Sequence, residues 1–591
     1  MVNMKNISSK YQLLILIFLA AALNFNTLFN DYALDDAVVM TQNKLVEKGL
    51  TGIPELLTTD YFSGFTKQNL LTEARYRPFS LILFALEHQF FGAKPFVSHL
   101  ISVLFFVLLI VILFKLLNEY IFSDQGTYLS FIACLLFVVH PIHTEVIANI
   151  KSRDETIAFL LMAGALILFF QYVKSKNKIR LILSLASFYL ALLTKETAVT
   201  FIGIVPLALY FFSGKTVKQS ALFSVPFMAV FAVYMLQRYL IVGFHYTPIT
   251  DVTNSPYIEA TFSEAFATKV FVLLKYIGLL FFPYTLTTDY GYNQIPYINL
   301  SSIKFIISFL AIAGLLLFSA VSLKKRSLFS FCILYFFATI SVGTNFIIDL
   351  GTPMAERMLF VPSFAFCICV AVLLSRVSEK WNKLSYGLFG IILFLFSIKT
   401  IARNSEWKNN ETLFLTDVES SPNSSRINLY AADQYLIKAK NENNVGLRNE
   451  YLQKAVFYCE RSRSIHAQFS YTYLNLGLSY YYMNDYAKAA GYFLEASRLE
   501  PSNLEAKSWK SYLSDAFYKQ GNGLSEKGEV EGAISCYKMS VELDSTKIES
   551  WYNLGGNYFI KNDSAAAYDA WKNVRKLDPA HPLRKDDFIK L

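Results

Sequence analysis

The sequence predicts an all-α protein with two parts, a membrane domain of many helices and a C-terminal array of helical repeats. Three observations lead to this prediction. Of the 591 residues, 54% are hydrophobic and 16% are aromatic, which is more apolar surface than a soluble core can enclose. Apolar runs of about 17 to 23 residues, long enough to cross roughly 30 Å of hydrocarbon, recur over the first two thirds of the chain. Beyond them the sequence becomes polar and repeats with a fixed period.

The apolar segments predict about 11 membrane spans. Basic residues cluster at alternate connections, for example Lys115, Lys174 to Arg180, and Lys324 to Arg326, which marks these connections as cytoplasmic. An odd number of spans from a cytoplasmic N-terminus places the C-terminal part on the extracytoplasmic side. The predicted spans are 11–30, 96–117, 127–141, 156–173, 180–194, 197–213, 220–242, 303–323, 328–347, 358–376 and 384–400.

Two further segments are apolar but interrupted, and we expect them to lie at the membrane surface. Glu264 to Phe282 contains Lys269 and Lys275, and counting it as a span would move the next basic loop to the wrong side. It is therefore predicted to be an interfacial or re-entrant helix. Tyr76 to Phe91 is broken by Pro78 and is predicted to lie along the outer surface.

The polar C-terminal part carries a 34-residue repeat. In 470–503, the small residues Gly477 and Ala489 and the aromatic residues around them fit the tetratricopeptide template. The small residues allow the two helices of a repeat to pack closely, and the stacked repeats offer a groove for an extended peptide. A structural spacer is the alternative. We divide the chain into a membrane domain (1–400), an extracytoplasmic connector (401–435) and repeats (436–591, made of a degenerate copy at 436–469, then 470–503, a weaker copy at 514–547, and 548–581).

The predicted topology collects the polar motifs of the membrane domain on its outer face. Asp35 and Asp36 follow the first span directly, where two adjacent carboxylates are costly to desolvate and therefore suggest a site. The alternative is that they end a helix in water. Independent loops that share one membrane face can converge on one cavity. The other outer-loop residues of interest are Arg77, His140, His143, Glu145, Lys195, Asp289, Glu356 and Arg357.

These motifs and the repeats together resemble one family, the transmembrane and tetratricopeptide-repeat O-mannosyltransferases and their bacterial relatives. That family belongs to the glycosyltransferases with the multi-span GT-C fold. The chain departs from the family pattern at Leu34, where an aromatic residue is usual, and at Lys151 to Arg153, where relatives tend to be glycine-rich. The matching stretches, in chain order, are Leu34 to Val38, Tyr76 to Ser80, His140 to Glu145, Thr194 to Glu196, Phe282-Pro283 with Asp289-Tyr290, Ala355 to Leu359, and Arg403 to Trp407.

The resemblance implies a GT-C membrane domain that transfers a sugar, by analogy mannose, with inversion. The implied donor is a polyprenyl-phosphate sugar, and the implied acceptor is a Ser or Thr hydroxyl of an exported polypeptide bound in the groove of the repeats. A composition rich in Asn, Lys, Ile and Phe favours a bacterial cytoplasmic membrane, with the site and the repeats on its extracytoplasmic side. Two alternatives are a non-catalytic, membrane-anchored scaffold and a transporter of lipid-linked sugars. The outer-loop position of the ionisable residues argues against the transporter.

Sugar transfer needs a carboxylate that accepts the proton of the acceptor and cations that hold the leaving phosphate. We assign Asp36 as the general base and Asp35 as the residue that orients it, and the reverse assignment stays open. Arg357 is the first candidate for the phosphate, because a guanidinium can bind two phosphate oxygens at once. Its alternative role is an ion pair with Glu356 or another outer-loop acid. Arg77 and Lys195 are the second candidates.

Five further outer-loop residues are predicted to bind the substrate through hydrogen bonds to sugar or phosphate: His140, His143, Glu145, Asp289 and Glu356. Pro141 interrupts the regular spacing of the two histidines, and the pattern is a poor zinc signature. We therefore predict no resident metal and no required cofactor, although a divalent cation held by Asp35 and Asp36 against the phosphate stays open. The six cysteines predict neither a disulfide framework nor a zinc site, and the charge pattern does not favour nucleic-acid binding.

Overall fold

The computed structural model describes residues 8–65, 75–243, 251–378 and 382–582. Within these ranges every element of secondary structure is a helix. The all-α prediction is therefore confirmed. The chain divides into two units, residues 1–422 and 423–591. The first seven residues of the predicted membrane domain and the last nine residues of the predicted repeat domain lie outside the described residues.

The first unit contains the predicted membrane domain. Its described α-helices are α1 (Ser9–Leu23), α2 (Lys44–Glu47), α3 (Ile53–Thr58), α4 (Pro78–Phe91), α5 (Pro95–Leu116), α6 (Thr127–Val139), α7 (Thr144–Ala148), α8 (Arg153–Ser175), α9 (Lys178–Thr194), α10 (Phe201–Phe212), α11 (Val217–Val242), α12 (Phe262–Phe281), α13 (Ile303–Ser322), α14 (Leu328–Ile340), α15 (Ser363–Ser378), α16 (Asn382–Glu406) and α17 (Asn410–Ser420).

Each predicted span coincides with a helix of this unit. Within the described ranges, six helical segments are long and apolar enough to cross a membrane, or seven if the bent pair α6 and α7 forms one span. The segments Glu196–Phe212, Leu328–Thr344 and Ser363–Val377 are apolar but shorter. The protein is therefore an integral membrane protein, and the number of about 11 spans stays a prediction.

The two segments predicted to lie at the membrane surface are both helical. Pro78 does not break its segment but begins α4, because the first turn of a helix needs no partner for the missing N–H group. Helix α12 is continuous over 20 residues and starts with a capping box, in which Thr261 and Glu264 satisfy each other's backbone N–H groups. The location of α4 and α12 relative to the membrane surface stays a prediction.

Aromatic rings fill the interior between α6, α8 and α15 and fix the short segment that precedes α15. The ring of Phe137 lies 5.5 Å from that of Phe360 and 6.1 Å from that of Phe364. Phe159 of α8 contacts the same two rings, at 6.1 and 5.8 Å. Three of these four contacts are edge-to-face and that of Phe137 with Phe360 is tilted, and such contacts hold rings in fixed orientations. The loops at the ends of these three helices are therefore anchored by a packed core.

Over its described residues, 423–582, the second unit is an array of four helix pairs, and the predicted helical-repeat solenoid is confirmed. The first pair begins inside the segment predicted as a connector, 401–435, while the preceding helix α17 belongs to the first unit. The pairs are α18 (Ser425–Asn441) with α19 (Val445–Ile465), α20 (Ser470–Tyr482) with α21 (Tyr486–Leu499), α22 (Leu504–Glu526) with α23 (Val530–Leu543), and α24 (Ile548–Ile560) with α25 (Ser564–Leu577).

A buried hydroxyl contact relates the first helix pair to a later one. The Ser514 and Ser540 hydroxyl oxygens, on α22 and α23, lie 3.1 Å apart. The Ser425 and Ser462 hydroxyl oxygens, on α18 and α19, lie 2.9 Å apart in the same arrangement. Because all four side chains are buried, each contact requires the helices to approach closely. The helix pair that overlaps the predicted degenerate repeat 436–469 therefore shares this contact with the pair of α22 and α23, and it starts at Ser425.

The predicted close packing of the two helices of a repeat is confirmed at three glycines. A methyl group at each of them would lie within 3 Å of an aromatic ring on the second helix of the same repeat. A larger side chain would therefore push the helices apart. The nearest ring atoms lie 2.5 Å (Gly477 and Phe493), 2.8 Å (Gly521 and Tyr537) and 2.4 Å (Gly555 and Trp571) from the added methyl position.

Gly555→Ala is expected to destabilise the last repeat by about 1 to 3 kcal/mol, because the new methyl group overlaps the buried ring of Trp571. The ring is further held by its Nε1–H, which donates to the Tyr552 carbonyl oxygen at 3.1 Å. Hydrogen exchange of α24 and α25 in the full-length protein, followed by mass spectrometry, measures the effect.

The neighbouring Gly556 provides a matched control, because a methyl group there meets no atom within 4 Å. Gly556→Ala is expected to slow exchange slightly, since alanine favours a helix interior over glycine by roughly 0.5 to 1 kcal/mol. Equal exchange in the two variants would show that the contact between Gly555 and Trp571 does not hold the repeat together.

Candidate active site

The acidic pair lies in a tight turn between α1 and α2. Leu34 has a φ of +52°, an unfavourable conformation for a residue with a side chain, and its N–H donates to the Asn410 side-chain oxygen at 2.7 Å. The N–H of Ala33 donates to Asp36 Oδ2 at 3.1 Å. These two hydrogen bonds hold the turn, in which Asp36 is buried and Asp35 keeps exposed surface.

Asp36 is fully buried and is engaged on both oxygens. In addition to the contact with Ala33, its Oδ1 accepts the backbone N–H of Lys151 at 2.8 Å. Burial raises the pKa of Asp36 to about 7, against these two hydrogen bonds, which lower it. Asp36 therefore connects the segment after α1 to the segment before α8, and it leaves no oxygen open to a substrate in this structure.

Asp35 is the accessible member of the pair. Its side chain is 43% exposed, and Oδ2 lies 3.5 Å from Lys151 Nζ. Desolvation raises the pKa of Asp35, but the charges of Lys151, Arg357 and Arg75 outweigh it, so that the pKa lies below its ordinary value. Asp35 is thus ionised at neutral pH and can receive a proton. This placement favours Asp35 as the general base and Asp36 as the residue that orients it, the assignment that the sequence left open as the reverse.

Lys151 was not among the predicted site residues, although it begins the charged run Lys151 to Arg153 noted in the sequence. Its side chain is buried and lies beside Asp35. Burial lowers the pKa of Lys151 to about 8, against Asp35 and Asp154, which raise it. A charged run directly before a membrane helix is the sequence signal that could have identified it.

Arg77 and Lys195, the second candidates for the phosphate, are both tied to buried acids. Arg77 Nη1 lies 2.9 Å from Asp154 Oδ2, and its Nε lies 2.7 Å from Glu196 Oε2. Lys195 Nζ lies 2.9 Å from Asp154 Oδ1 and 2.7 Å from Glu155 Oε1. Asp154 therefore bridges the two cations. These contacts hold three loops together and leave the two cations less available to a ligand than Arg357.

Arg357 pairs with Glu145 and not with the neighbouring Glu356. Its backbone N–H donates to Glu145 Oε2 at 2.9 Å, and its Nη1 donates to Glu145 Oε1 at 2.5 Å. The Arg357 side chain keeps 20% of its surface exposed, whereas that of Glu145 keeps only 2%. Glu145 thus orients a guanidinium that stays partly accessible, and its own burial makes direct contact with a substrate unfavourable in this structure.

A cavity lies next to Arg357, at the ends of α8 and α14. Arg357 and Glu155 are its charged lining residues. Threonine hydroxyls and apolar side chains supply the rest of the lining described here. Its walls therefore combine one cation, one carboxylate, hydroxyl groups and apolar surface around a small space. The other lining residues are Met162, Thr197, Thr200, Thr339, Gly343, Met358, Val361 and Pro362.

The two predicted histidines are buried, and protein groups surround their ring nitrogens. His140 Nε2 lies 3.0 Å from the Leu280 carbonyl oxygen, and its Nδ1 accepts the Ile142 N–H at 3.3 Å. His143 Nδ1 lies 2.8 Å from the Phe137 carbonyl oxygen, and its Nε2 lies 2.8 Å from the Ser363 hydroxyl oxygen. These contacts support a structural role for both rings, which link the segment before α7 to α6, α12 and α15.

Glu356 and Asp289 belong to a second buried group beside the site. Glu356 Oε1 accepts the Thr287 N–H at 2.6 Å and the Tyr290 hydroxyl at 3.0 Å. Burial raises the pKa of Glu356 to about 8. Asp289 is also buried and lies between these two partners in the chain. The carboxyl group of Glu356 therefore positions the loop that carries Asp289.

Asp417 and Arg403, which were not among the predicted site residues, anchor the other side of the same loop. Asp417 accepts the N–H of Thr288 at 2.6 Å and binds Arg403 through both carboxylate oxygens, at 2.6 and 3.3 Å. Both side chains are fully enclosed, so the ion pair fixes α17 to the end of α16. No sequence spacing indicates this pair, because its partners come from separate helices.

Within the described ranges, no group of three or more His, Cys, Asp or Glu residues is arranged to hold a metal ion. The hydrogen bonds of Asp36 disfavour a divalent cation held between Asp35 and Asp36. Asp36 already accepts a backbone N–H on each oxygen and would have to give up one of them to become a ligand.

Comparisons with known proteins agree with this description. The family model for the tetratricopeptide repeat matches residues 470–503, the repeat predicted with the best fit. The human protein O-mannosyl-transferase TMTC3 is 25% identical over 98% of this chain and 69% of its own length. The chain is a homologue of the TMTC protein O-mannosyl-transferases. Human TMTC1, also 25% identical, is matched over 68% of this chain and 50% of its own length.

The predicted resemblance to this family is therefore confirmed, and the names of these homologues agree with the predicted glycosyltransferase. Among solved structures, the crystal structure of ArnT from Cupriavidus metallidurans bound to undecaprenyl phosphate has 12% identity and a TM-score of 0.37, and covers 87% of this chain and 81% of ArnT. The assignment rests on the sequence relatives.

Proposed function

We propose that the protein transfers a sugar, by analogy with its relatives mannose, from a polyprenyl-phosphate carrier to a Ser or Thr hydroxyl of an exported polypeptide. The observation that carries this proposal is that an accessible carboxylate, Asp35, and an accessible guanidinium, Arg357, lie near enough to attract each other. Asp35 and Arg357 keep exposed surface, whereas the other charged groups around them are largely buried or tied to partners. A cavity with apolar walls adjoins Arg357.

The proposed reaction is a single displacement at the anomeric carbon. The acceptor oxygen forms the new bond to this carbon as the bond to the carrier phosphate breaks, and the configuration inverts. Asp35, ionised at neutral pH, takes the hydroxyl proton of the acceptor. Arg357 stabilises the negative charge that grows on the leaving polyprenyl phosphate. The role of general base thus moves from Asp36 to Asp35, and Asp36 positions the loops.

The first unit is proposed to bind the lipid carrier and the second unit the polypeptide acceptor. The cavity beside Arg357 is small, and we propose that the isoprene chain of the carrier lies outside it, against the exposed apolar surface of the membrane domain. The tetratricopeptide repeats bind the polypeptide acceptor, which is the common use of such arrays. We place the reaction on the extracytoplasmic face of a bacterial cytoplasmic membrane, in accordance with the distribution of basic loops.

The test uses the full-length protein in detergent with radiolabelled polyprenyl-phosphate mannose and a Ser/Thr-rich peptide. We expect label on the peptide in an alkali-labile linkage to Ser or Thr, and formation of free polyprenyl phosphate in equal amount. Polyprenyl-phosphate glucose and N-acetylglucosamine, offered in parallel, test the choice of sugar. Lys48→Ala, at an exposed ion pair with Glu55, provides a control variant.

The two alternatives predict other outcomes of this experiment. Folded protein that transfers none of these sugars but captures polypeptides would support the non-catalytic scaffold. Movement of labelled lipid-linked sugar across the membrane of proteoliposomes, without transfer to a peptide, would support the transporter. Either result would overturn the proposed transfer reaction.

A further inference from the structure

Asp35 and Asp36 both contact Lys151. Asp36 Oδ1 accepts the backbone N–H of Lys151 at 2.8 Å, and Asp35 Oδ2 lies 3.5 Å from the ammonium group of Lys151. Asp36 thus binds the main chain of Lys151, and Asp35 binds its side chain. The backbone contact is buried, so the position of the second outer loop is fixed relative to Asp35.

The ammonium of Lys151 lies between two acids. Besides Asp35, it is attracted by Asp154, while Arg357 and Lys195 repel it. Asp154 is already engaged by Arg77 and Lys195. Lys151 is therefore placed to act mainly on Asp35, whose other cationic neighbours are Arg357 and Arg75 and whose acidic neighbour in the chain is Asp36.

We infer that Lys151 is the positioning residue of the general base: its ammonium keeps the Asp35 carboxylate ionised and oriented, and Asp36 keeps Lys151 in place. This inference rests on the proposed function. Lys151 itself exchanges no proton with the substrate. During transfer, Asp35 gains the acceptor proton and becomes neutral, which frees the ammonium beside it to face the newly formed phosphate charge.

The first test compares Lys151→Met, which keeps the length of the side chain without its charge, with Lys151→Arg, which restores the charge. The kcat and KM for the donor are measured from pH 3 to 9, because the pKa of Asp35 lies below its ordinary value. Removing the positive charge raises the pKa of Asp35, so the acid limb of the rate profile is expected to move to higher pH in Lys151→Met. We expect kcat to fall about 10- to 100-fold with a smaller change in KM.

Lys151→Arg is expected to return the acid limb to its original pH and to recover most of kcat. Lys48→Met, at an exposed lysine, serves as the matched control. A fall in kcat without a shift of the acid limb would overturn the inference, because a loss of folding alone does not change the pKa of Asp35. Full activity and an unchanged profile in Lys151→Met would overturn it as well.

A second readout does not depend on sugar transfer. Hydrophobic carbodiimides react with protonated carboxyl groups, so the pH at which Asp35 is half labelled, measured by peptide mass spectrometry, reports its protonation. We expect this midpoint to rise in Lys151→Met and to return in Lys151→Arg. An absence of sugar transfer in the native protein would refute the proposed function. An unchanged labelling midpoint would refute the role of Lys151 independently.

Discussion

Asp35→Asn is expected to reduce the rate of sugar transfer by about 10²- to 10⁴-fold, the usual contribution of a general base. The amide keeps the size of the carboxylate but cannot accept the acceptor proton. Because the Asp35 side chain is 43% exposed and makes no backbone contact recorded among the described residues, the fold should tolerate the change. Single-turnover transfer with saturating donor measures the effect on the chemical step.

Asp36→Asn is expected to act differently, because Asp36 uses both oxygens to hold backbone N–H groups. An amide offers only one oxygen, so one of the two contacts is lost and the fold is destabilised by about 1 to 3 kcal/mol. Asp31→Asn, an exposed acid a few residues earlier, provides the matched control for the exchange of carboxylate for amide. If Asp36→Asn abolished transfer in folded protein while Asp35→Asn left it intact, Asp36 would be the base.

The sequence predicts the helical architecture well because its signals are local. A run of apolar residues has the length that a bilayer requires, and each predicted span coincides with a helix. The 34-residue period identifies small residues such as Gly477, and close helix packing at these positions follows from their size. The first helix pair begins at Ser425, inside the segment predicted as a connector, and the predicted domain boundaries stay predictions.

The sequence could name Asp35, Asp36, Glu145 and Arg357 as candidates but could not separate the roles of the acidic pair, and the membership of the site and these roles stay predictions. Asp35 and Asp36 are adjacent, and only the φ of +52° at Leu34 and the hydrogen bond to Asn410 decide which carboxylate becomes buried. No periodicity encodes that turn.

Partner choice over long separations is the other part that sequence reasoning could not supply. Arg357 has an acid directly beside it in the chain, yet it binds Glu145, which is 212 residues away. Lys195 has Glu196 beside it in the chain, and a pair of these two residues was the alternative to phosphate binding, yet Lys195 binds Asp154 and Glu155, and Arg77 also binds Asp154. Which acid neutralises which cation depends on packing, and packing also decides which cation stays accessible to phosphate.

Arg357→Gln is expected to lower kcat/KM for the donor by about 10²- to 10³-fold, because the leaving phosphate loses a charged donor where its negative charge grows. The same variant should also lose stability, since Glu145 is 2% exposed and would keep its charge without a cation. Because Arg357 itself is partly exposed, we expect a cost of roughly 1 to 3 kcal/mol. Arg376→Gln, at an exposed arginine after the same loop, is the control.

A second substitution separates the two effects. Arg357→Gln combined with Glu145→Gln removes the buried uncompensated charge, so the thermal midpoint in detergent should return close to that of the native protein. Transfer should stay as low as in Arg357→Gln, because the guanidinium is still missing from the cavity. If the double variant regained activity together with stability, Arg357 would serve the fold, and the phosphate would have to be held elsewhere. The buried ion pairs of Arg77 and Lys195 make that outcome unfavourable, since either cation would have to leave Asp154 to reach a ligand.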